Sequence, residues 1–270
     1  MSDASLALRQ VAFTNKAFWR NPASAFFTFA FPLMFLVIFT ALLGSGTVDF
    51  QTPFGVYHLD QATYFVVAMA SFGVITACYT NVAIGVVFQR DAGILKRTQG
   101  TPLPGWAYLA GRVLHAMIIA VILVVITATF GALFYSAKIP SGVHLLEFLA
   151  TLLAGGVSFC ALGLAATVIT PNADAAPPVV NATILPLYFI SGVFIPVGSD
   201  APGWLRIVAG IFPVRHFVDA MRAGYLGSTS IQGTAIRVFP FQWVDVLIVL
   251  AWGVGGLIIA ARFFSWEPHR

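Results

Sequence analysis

Apolar residues occur in six long runs, separated by short polar stretches. The runs occupy residues 24–43, 62–88, 108–136, 146–170, 175–196 and 243–264. Each is long enough to cross about 30 Å of hydrocarbon as a helix, which closes all its backbone hydrogen bonds internally. The pattern predicts an all-α integral membrane protein with six transmembrane helices.

Residues 3–21 precede the first run and have a different pattern. On a helix, Arg9, Lys16 and Arg20 fall on one flank, and apolar side chains gather on another face. This amphipathic pattern, with Trp19 near its end, predicts a helix lying in the membrane interface. The alternative is an unstructured basic tail.

Composition supports a membrane protein. Of the 270 residues, 59% are hydrophobic and 9% are charged, so a soluble fold would expose more apolar surface than it could cover. The net charge is +4, but the basic residues are scattered and form no patch that suggests nucleic acid. The two cysteines, Cys78 and Cys160, lie inside apolar runs, where we expect them to pack as small hydrophobic side chains.

The distribution of basic residues predicts the orientation. One set of connections and termini carries most of them: Arg9, Lys16, Arg20, Arg90, Lys96, Arg97, Arg112, Arg262 and Arg270. On the other side, the loop 44–61 has none, the next loop has only Lys138, and 197–242 has four arginines. Because excess basic charge faces the cytoplasm, we expect both termini to be cytoplasmic in a multi-pass protein of the cell (plasma or inner) membrane.

The connection between the second and third runs, residues 90–101, is the most informative loop. Arg90 to Gln99 can form a short charged helix around the apolar pair Ile94 and Leu95, and Gly100 and Pro102 would end it. Such a helix suits docking to a cytosolic partner. An ordinary basic loop that fixes topology explains the same pattern equally well.

The segment 200–226 contains a second amphipathic pattern. From Pro213 onwards, one helical stripe is apolar, and it consists of Val214, Phe217, Val218, Met221 and Tyr225. Arg215, Asp219 and Arg222 form another stripe at i, i+4 and i+7, so Asp219 can pair with both arginines.

The spans contain few groups that could perform chemistry. There is no Gly-x-x-x-x-Gly-Lys-Ser/Thr run that would bind ATP, and no carboxylate pair, metal cluster or nucleophile–base set at membrane depth. Ion-coupled pumps usually place ionisable groups at mid-membrane. Their scarcity here favours an energy source outside the membrane over a stand-alone secondary transporter, and it disfavours an enzyme.

Small or amide side chains supply most of the polarity within the spans. Asn181 is the most costly of these to leave in lipid, so we expect it to face protein or a cavity. Tyr188 and Phe189 follow one to two turns later and, with Asn181, could line a pathway for an amphipathic or aromatic substrate.

Several motifs, in order along the chain, resemble the ABC-2 permease family. They are Arg90 and Gly93, the Pro102-Leu103-Pro104 turn, Tyr108 and Arg112, the proline-bounded segment 185–196, Trp204-Leu205, Pro213 to His216, and Ala220-Met221-Arg222. Each motif alone is weak, but their order and spacing cover nearly the whole chain. The similarity is greatest to the drug-resistance branch of exporters.

This resemblance implies one half of a transporter. Two permeases would pair, with the first and fifth spans as the expected seam, and each would receive a separate nucleotide-binding ATPase that holds ATP and Mg²⁺. Residues 90–101 would be the coupling helix, with Arg90, Asp91, Ile94, Leu95 and Arg97 as ATPase contacts. Residues 200–226 would form a re-entrant outer hairpin whose Arg215, Asp219 and Arg222 act as an outer gate or as a simple cap. Drugs or other amphipathic small molecules are the expected cargo, and lipid-linked glycans are the alternative. The second permease would be either an identical copy or a related protein.

Overall fold

The computed structural model describes residues 3–43, 46–52, 55–101, 103–195, 201–231, 234–237 and 241–267. Four predicted positions lie outside these residues: Pro102, the end of the fifth run at 196, the start of the outer segment at 200, and Arg270. The helices are α1 (Asp3–Trp19), α2 (Pro22–Leu43), α3 (Gln61–Ile75), α4 (Asn81–Asp91), α5 (Ile94–Gln99), α6 (Gly105–Tyr135), α7 (Val143–Ile169), α8 (Ala176–Ile190), α9 (Gly203–Ile211), α10 (Pro213–Leu226) and α11 (Trp243–Phe263).

Within the part of the chain that the structure describes, five helical stretches are long and apolar enough to cross a membrane. They are Pro22–Leu43, Gln61–Asp91, Gly105–Tyr135, Val143–Ile169 and Trp243–Phe263. The remaining apolar run, predicted at 175–196, forms the 15-residue helix α8. At about 1.5 Å per residue, α8 is about 22 Å long, which is shorter than the hydrocarbon thickness. A left-handed Gly192, with φ 75°, lies in the turn that follows α8.

The second stretch is the centre of the bundle. Nearly every residue of α3 is buried, and α3 packs against α2, α6, α7 and α10. By contrast, only 11% of the most apolar window of α2 is buried within the protein, so α2 lies at the periphery. Its exposed face is rich in phenylalanine.

Small residues let α7 and α11 approach closely. A Cβ atom on Gly253 would lie 2.5 Å from the Ser158 hydroxyl oxygen, and one on Gly256 would lie 3.0 Å from the Leu162 amide nitrogen. Helices in membranes associate largely through such close packing, because lipid provides no hydrophobic drive between them. The pair forms one side of the bundle.

Helix α1 lies against α6. The contact is close at Gly111, where a Cβ atom would come 2.6 Å from Cγ of Gln10. Leu8 and Phe13 remain largely exposed, and the Trp19 ring stacks on Phe29 at 5.8 Å between ring centroids. An exposed apolar side beside the first membrane-length helix agrees with the amphipathic pattern of 3–21.

Two short β-hairpins add to the helices and are absent from the all-α prediction. Strands β1 (Thr47–Thr52) and β2 (Gly55–Asp60) pair antiparallel, as do β3 (Ser228–Ile231) and β4 (Thr234–Arg237). Asp49 pairs with His58 across the first hairpin, with 2.6 Å between Oδ1 and Nδ1. The hairpins occupy two connections that the hydrophobic pattern left as loops.

A π-helical segment, Thr76–Thr80, interrupts the long central stretch between α3 and α4. Its side chains meet α8 through two polar contacts: Tyr79 to Thr183 at 2.6 Å and Thr76 to Tyr188 at 3.4 Å, both between hydroxyl oxygens. On its other side, a Cβ atom on Gly163 of α7 would lie 2.7 Å from the Tyr79 carbonyl oxygen. Such π segments are frequent at functional sites.

Candidate functional site

The connection between α4 and α6 differs from the single helix predicted for Arg90 to Gln99. Helix α4 continues to Asp91, and Gly93 then takes a left-handed conformation with φ 68° before α5 begins at Ile94. Glycine adopts this conformation without a Cβ clash, so it allows the sharp change of direction. The result is α5, a helix of six residues set at an angle to the end of α4.

Arg90 is buried, with 1% of its surface exposed. Its guanidinium donates hydrogen bonds to the carbonyl oxygens of Thr167 at 3.0 Å, Thr170 at 2.5 Å and Pro171 at 3.4 Å. These carbonyls lie at the C-terminal end of α7, where backbone acceptors have no partner within the helix. Arg90 therefore clamps the end of α4 to the end of α7.

Asp91 extends this clamp to the next connection. Its Oδ2 accepts a hydrogen bond from the backbone N–H of Ala173 at 2.6 Å, just before α8. The adjacent pair of Arg90 and Asp91 thus binds the acceptors that end α7 and a donor that precedes α8. The start of the α4–α6 connection is rigidly tied to both.

The side chains of α5 divide into a buried and an exposed face, and on the exposed face Lys96 forms an ion pair with Glu267 at 3.1 Å. Leu95 is completely buried, whereas Ile94 is 40% exposed and Lys96 and Arg97 lie at the surface. Arg97 also donates to the Ala92 carbonyl oxygen at 3.2 Å, which stabilises the turn. Of the predicted contacts, Ile94 and Arg97 are accessible, whereas Arg90 and Leu95 do not reach the surface.

The predicted stripes of α10 are present. Val214, Phe217, Val218, Met221 and Tyr225 are all buried. Burial raises the pKa of Tyr225 to about 12. On the other stripe, Asp219 pairs with Arg222 at 2.7 Å and with Arg215 at 3.6 Å, as the spacing predicts.

Arg222 links this cluster to two other elements. Its guanidinium carbon lies 5.1 Å from the centre of the Tyr64 ring at the start of α3, a cation–π arrangement. The Tyr64 hydroxyl donates to the Gly192 carbonyl oxygen in the turn after α8. Arg222 and its partner Asp219 therefore lie where α3, α10 and the turn after α8 meet, whereas Arg215 contacts α9 by donating to the Arg206 carbonyl oxygen at 3.2 Å.

His216 and Asp245 form a contact that sequence reasoning missed. Nδ1 of His216 lies 2.6 Å from Oδ1 of Asp245 in α11, and Nε2 lies 2.8 Å from the Gly210 carbonyl oxygen. The two residues are 29 positions apart, and no local spacing rule connects them.

Replacing His216 with alanine tests this contact. We expect about 2 kcal/mol of destabilisation, because the buried Asp245 carboxylate loses its donor. The matched control is His58→Ala, since His58 lies at the same 2.6 Å from Asp49 but both side chains are about 60% exposed. Thermal unfolding of the purified protein would show a lower melting temperature for the first variant only; equal shifts would contradict a structural role.

The proposed pathway residues differ in exposure, although Tyr188 and Phe189 both pack against Phe194. Tyr188 is buried among aromatic rings, 4.9 Å from Phe72 and 5.7 Å from Phe194 between centroids. Phe189 is 52% exposed, and Asn181 is half-buried one to two turns earlier. Only Tyr188 reaches the polar contacts of the π segment. Among the described residues, no group of three His, Cys, Asp or Glu lies together as a metal site.

Comparison with known proteins places these features in a family context. The sequence model described as "ABC-2 type transporter" matches residues 10–226. The probable multidrug ABC transporter permease YbhR of Escherichia coli K12 is 26% identical over 175 residues, which are 65% of this chain and 47% of YbhR. This chain therefore spans about half the length of YbhR.

Two other relatives are covered more fully. The inner membrane transport permease YadH of Escherichia coli K12 is 25% identical over 202 residues, 72% of each chain. The daunorubicin resistance ABC transporter permease protein DrrB1 of Streptomyces coeruleorubidus is 26% identical over 193 residues, 71% of this chain and 64% of DrrB1.

Proposed function

Because the chain belongs to the ABC-2 type transporter family, we propose that it is the membrane-spanning subunit of an exporter driven by a separate ATPase. Family membership and five membrane-length helices make it a multi-pass ABC transporter permease. ATP and Mg²⁺ would be bound by the partner. The cargo would be drugs or other amphipathic small molecules, as the names of YbhR and DrrB1 suggest for those proteins.

The geometry of α5 is the observation that carries this proposal. A short helix with an exposed Ile94, Lys96 and Arg97 face stands on a base fixed by the buried Arg90 and Leu95. A partner that pushes on the exposed face moves a rigid unit, because the base cannot absorb the movement by side-chain rearrangement. In this assignment Ile94 and Arg97 contact the ATPase, and Arg90, Asp91 and Leu95 position the helix.

The same clamp gives a route for the movement. Arg90 holds the last carbonyls of α7, and Asp91 holds the segment before α8. Movement of α5 would therefore reach two further helices directly, without passing through the central core. Helix α8 in turn contacts the π segment through Tyr188 and Thr183.

The membrane arrangement follows from this assignment. The α4–α6 connection and both termini would face the cytoplasm, in agreement with the distribution of basic residues. Helix α8 is shorter than the hydrocarbon thickness, so it would complete a sixth crossing only together with the turn that follows it. Helices α9 and α10 would form a re-entrant pair on the outer side. Arg215, Asp219 and Arg222 would then hold an outer gate closed against α3. A second permease, identical or related, would complete the pathway.

Co-purification with a nucleotide-binding ATPase subunit that is co-expressed with this chain tests the proposal. We expect the wild type to retain one ATPase per permease and the variant Ile94→Asp with Arg97→Glu to lose it, because the exposed face becomes polar and acidic. The matched control is Lys16→Glu with Arg20→Glu, which reverses charges on the exposed side of α1.

Both variants should insert in the membrane and elute as single species, since none of the four side chains is buried. If the wild type retains no ATPase, or if the α5 variant retains as much as the wild type, the docking assignment is wrong. Equal loss from the α1 control would show that bulk charge, not α5, governs the association.

A further inference from the structure

A partly open cavity of about 600 Å³ lies beside the α4–α6 connection and is lined mainly by α1, α4, α5 and α6. Its polar lining includes Gln10, Asn81, Gln89, Thr98, Arg112 and His115, and the remainder is mainly apolar, with Phe13 and Phe18 contributed by α1. The volume is much larger than a few water molecules require. The cavity is therefore large enough for the polar end of a sizeable molecule.

Arg112 is the charged centre of this cavity. Its Nε and Nη2 atoms are both buried and have no hydrogen-bond partner among the described residues. The Tyr108 hydroxyl, which lies next to Arg112, donates to Oε1 of Gln89. No aspartate or glutamate is among the lining residues that the structure describes, so nothing there balances the positive charge.

The position of the guanidinium depends on Gly85 of α4. A Cβ atom at this position would lie 3.0 Å from Nη2 of Arg112. The absence of a side chain at Gly85 lets the planar group lie against the helix. Its Nε–Nη2 edge is one of the two-donor forks with which arginine binds phosphate and carboxylate.

A partly desolvated cation with two unused donors favours an anion with two adjacent oxygen atoms. The apolar side of the cavity favours an anion attached to hydrocarbon. Helix α1, the amphipathic segment beside the first membrane-length helix, forms that side. Phosphate esters of membrane lipids combine both properties at this depth.

We propose that the cavity binds a phosphate ester, namely the headgroup phosphate of a membrane phospholipid, on the Nε–Nη2 edge of Arg112. The Nδ1 atom of His115, which is also buried without a partner, provides a further polar contact. Ile94 and Thr98 of α5 line the same cavity. A bound lipid therefore supports the helix assigned to ATPase docking, although the binding itself does not depend on that assignment.

Native mass spectrometry of the purified full-length chain tests the site. Two lipids are compared at equal concentrations, dioleoyl-phosphatidylglycerol and dioleoylglycerol without phosphate, and inorganic phosphate is then added as a competitor. We expect one phosphatidylglycerol to bind at least about tenfold more tightly than dioleoylglycerol, because only the former offers charged acceptors to Arg112. Displacement by millimolar inorganic phosphate would assign the site to free phosphate instead of lipid.

Arg112→Gln should abolish the preference for the phosphorylated lipid. Arg20→Gln, which removes an exposed arginine near α1, should leave it intact. Gly85→Ala keeps the charge and favours the helix but displaces the guanidinium, so we expect an intermediate loss. Unchanged preference in both the Arg112 and the Gly85 variants, or equal binding of the two lipids to the wild type, would overturn the proposal.

Discussion

Replacement of Arg90 by methionine is expected to destabilise the protein by about 3 kcal/mol or more and to uncouple it from the proposed ATPase subunit. The loss has two parts. Hydrogen bonds from a charged donor contribute roughly 1.5–3 kcal/mol each, and the carbonyls of Thr167 and Thr170 would remain buried without their donor. Methionine fills a similar volume, so packing contributes little to the difference.

Thermal unfolding and ATPase co-purification together measure this effect. For a chain of this size, about 3 kcal/mol corresponds to a decrease of roughly 10 °C in melting temperature. Arg97→Met is the matched control, since Arg97 is exposed and its removal should affect partner binding with little change in stability. A melting temperature for Arg90→Met within about 2 °C of the wild type would contradict the clamp.

Replacement of Gly163 by alanine is expected to have the second largest effect. A Cβ atom there would lie 2.7 Å from the Tyr79 carbonyl oxygen and 3.1 Å from the Cys78 carbonyl oxygen. Both are backbone atoms of the π segment and cannot rotate away, so α7 or the π segment must move. Overpacking of this kind costs roughly 1–3 kcal/mol, and we expect the upper part of this range.

Gly255→Ala provides the control, because a Cβ atom at Gly255 meets nothing within 4 Å and the position is also inside a membrane-length helix. It should stabilise the protein slightly or leave it unchanged. The melting temperatures of the two variants are compared, and transport is measured at a temperature at which both are folded. We expect a lower melting temperature for Gly163→Ala only. If both variants behave alike, the close approach of α7 to the π segment has no energetic importance.

The membrane-length helices were largely predictable because long uncharged runs have few alternatives. Their ends lie within three residues of the runs read from the sequence, as in 243–264 against Trp243–Phe263. The predicted run at 175–196 is longer than α8, because the residues around Gly192 are as apolar as those of the helix itself. The turn there depends on a positive φ, which hydropathy does not report.

Local spacing also predicted part of the candidate site. Asp219 pairs with both arginines because residues three and four apart are neighbours on a helix. Arg90 was read as a surface contact, but its partners are 77 to 81 residues away and only tertiary packing brings them together. The same reason hid the contact of His216 with Asp245.

The π segment has a geometric consequence for the whole second stretch. A π turn contains one residue more than the α turn it replaces. The residues after it therefore have the positions around the helix axis that they would have in an α-helix with one residue deleted. If Thr76–Thr80 rewound as α-helix, α4 would rotate by about 100° and advance by about 1.5 Å relative to α3. Arg90 and Asp91, at the far end of α4, would undergo the same screw displacement. The central span thus contains a means of turning one of its ends against the other while both remain helical.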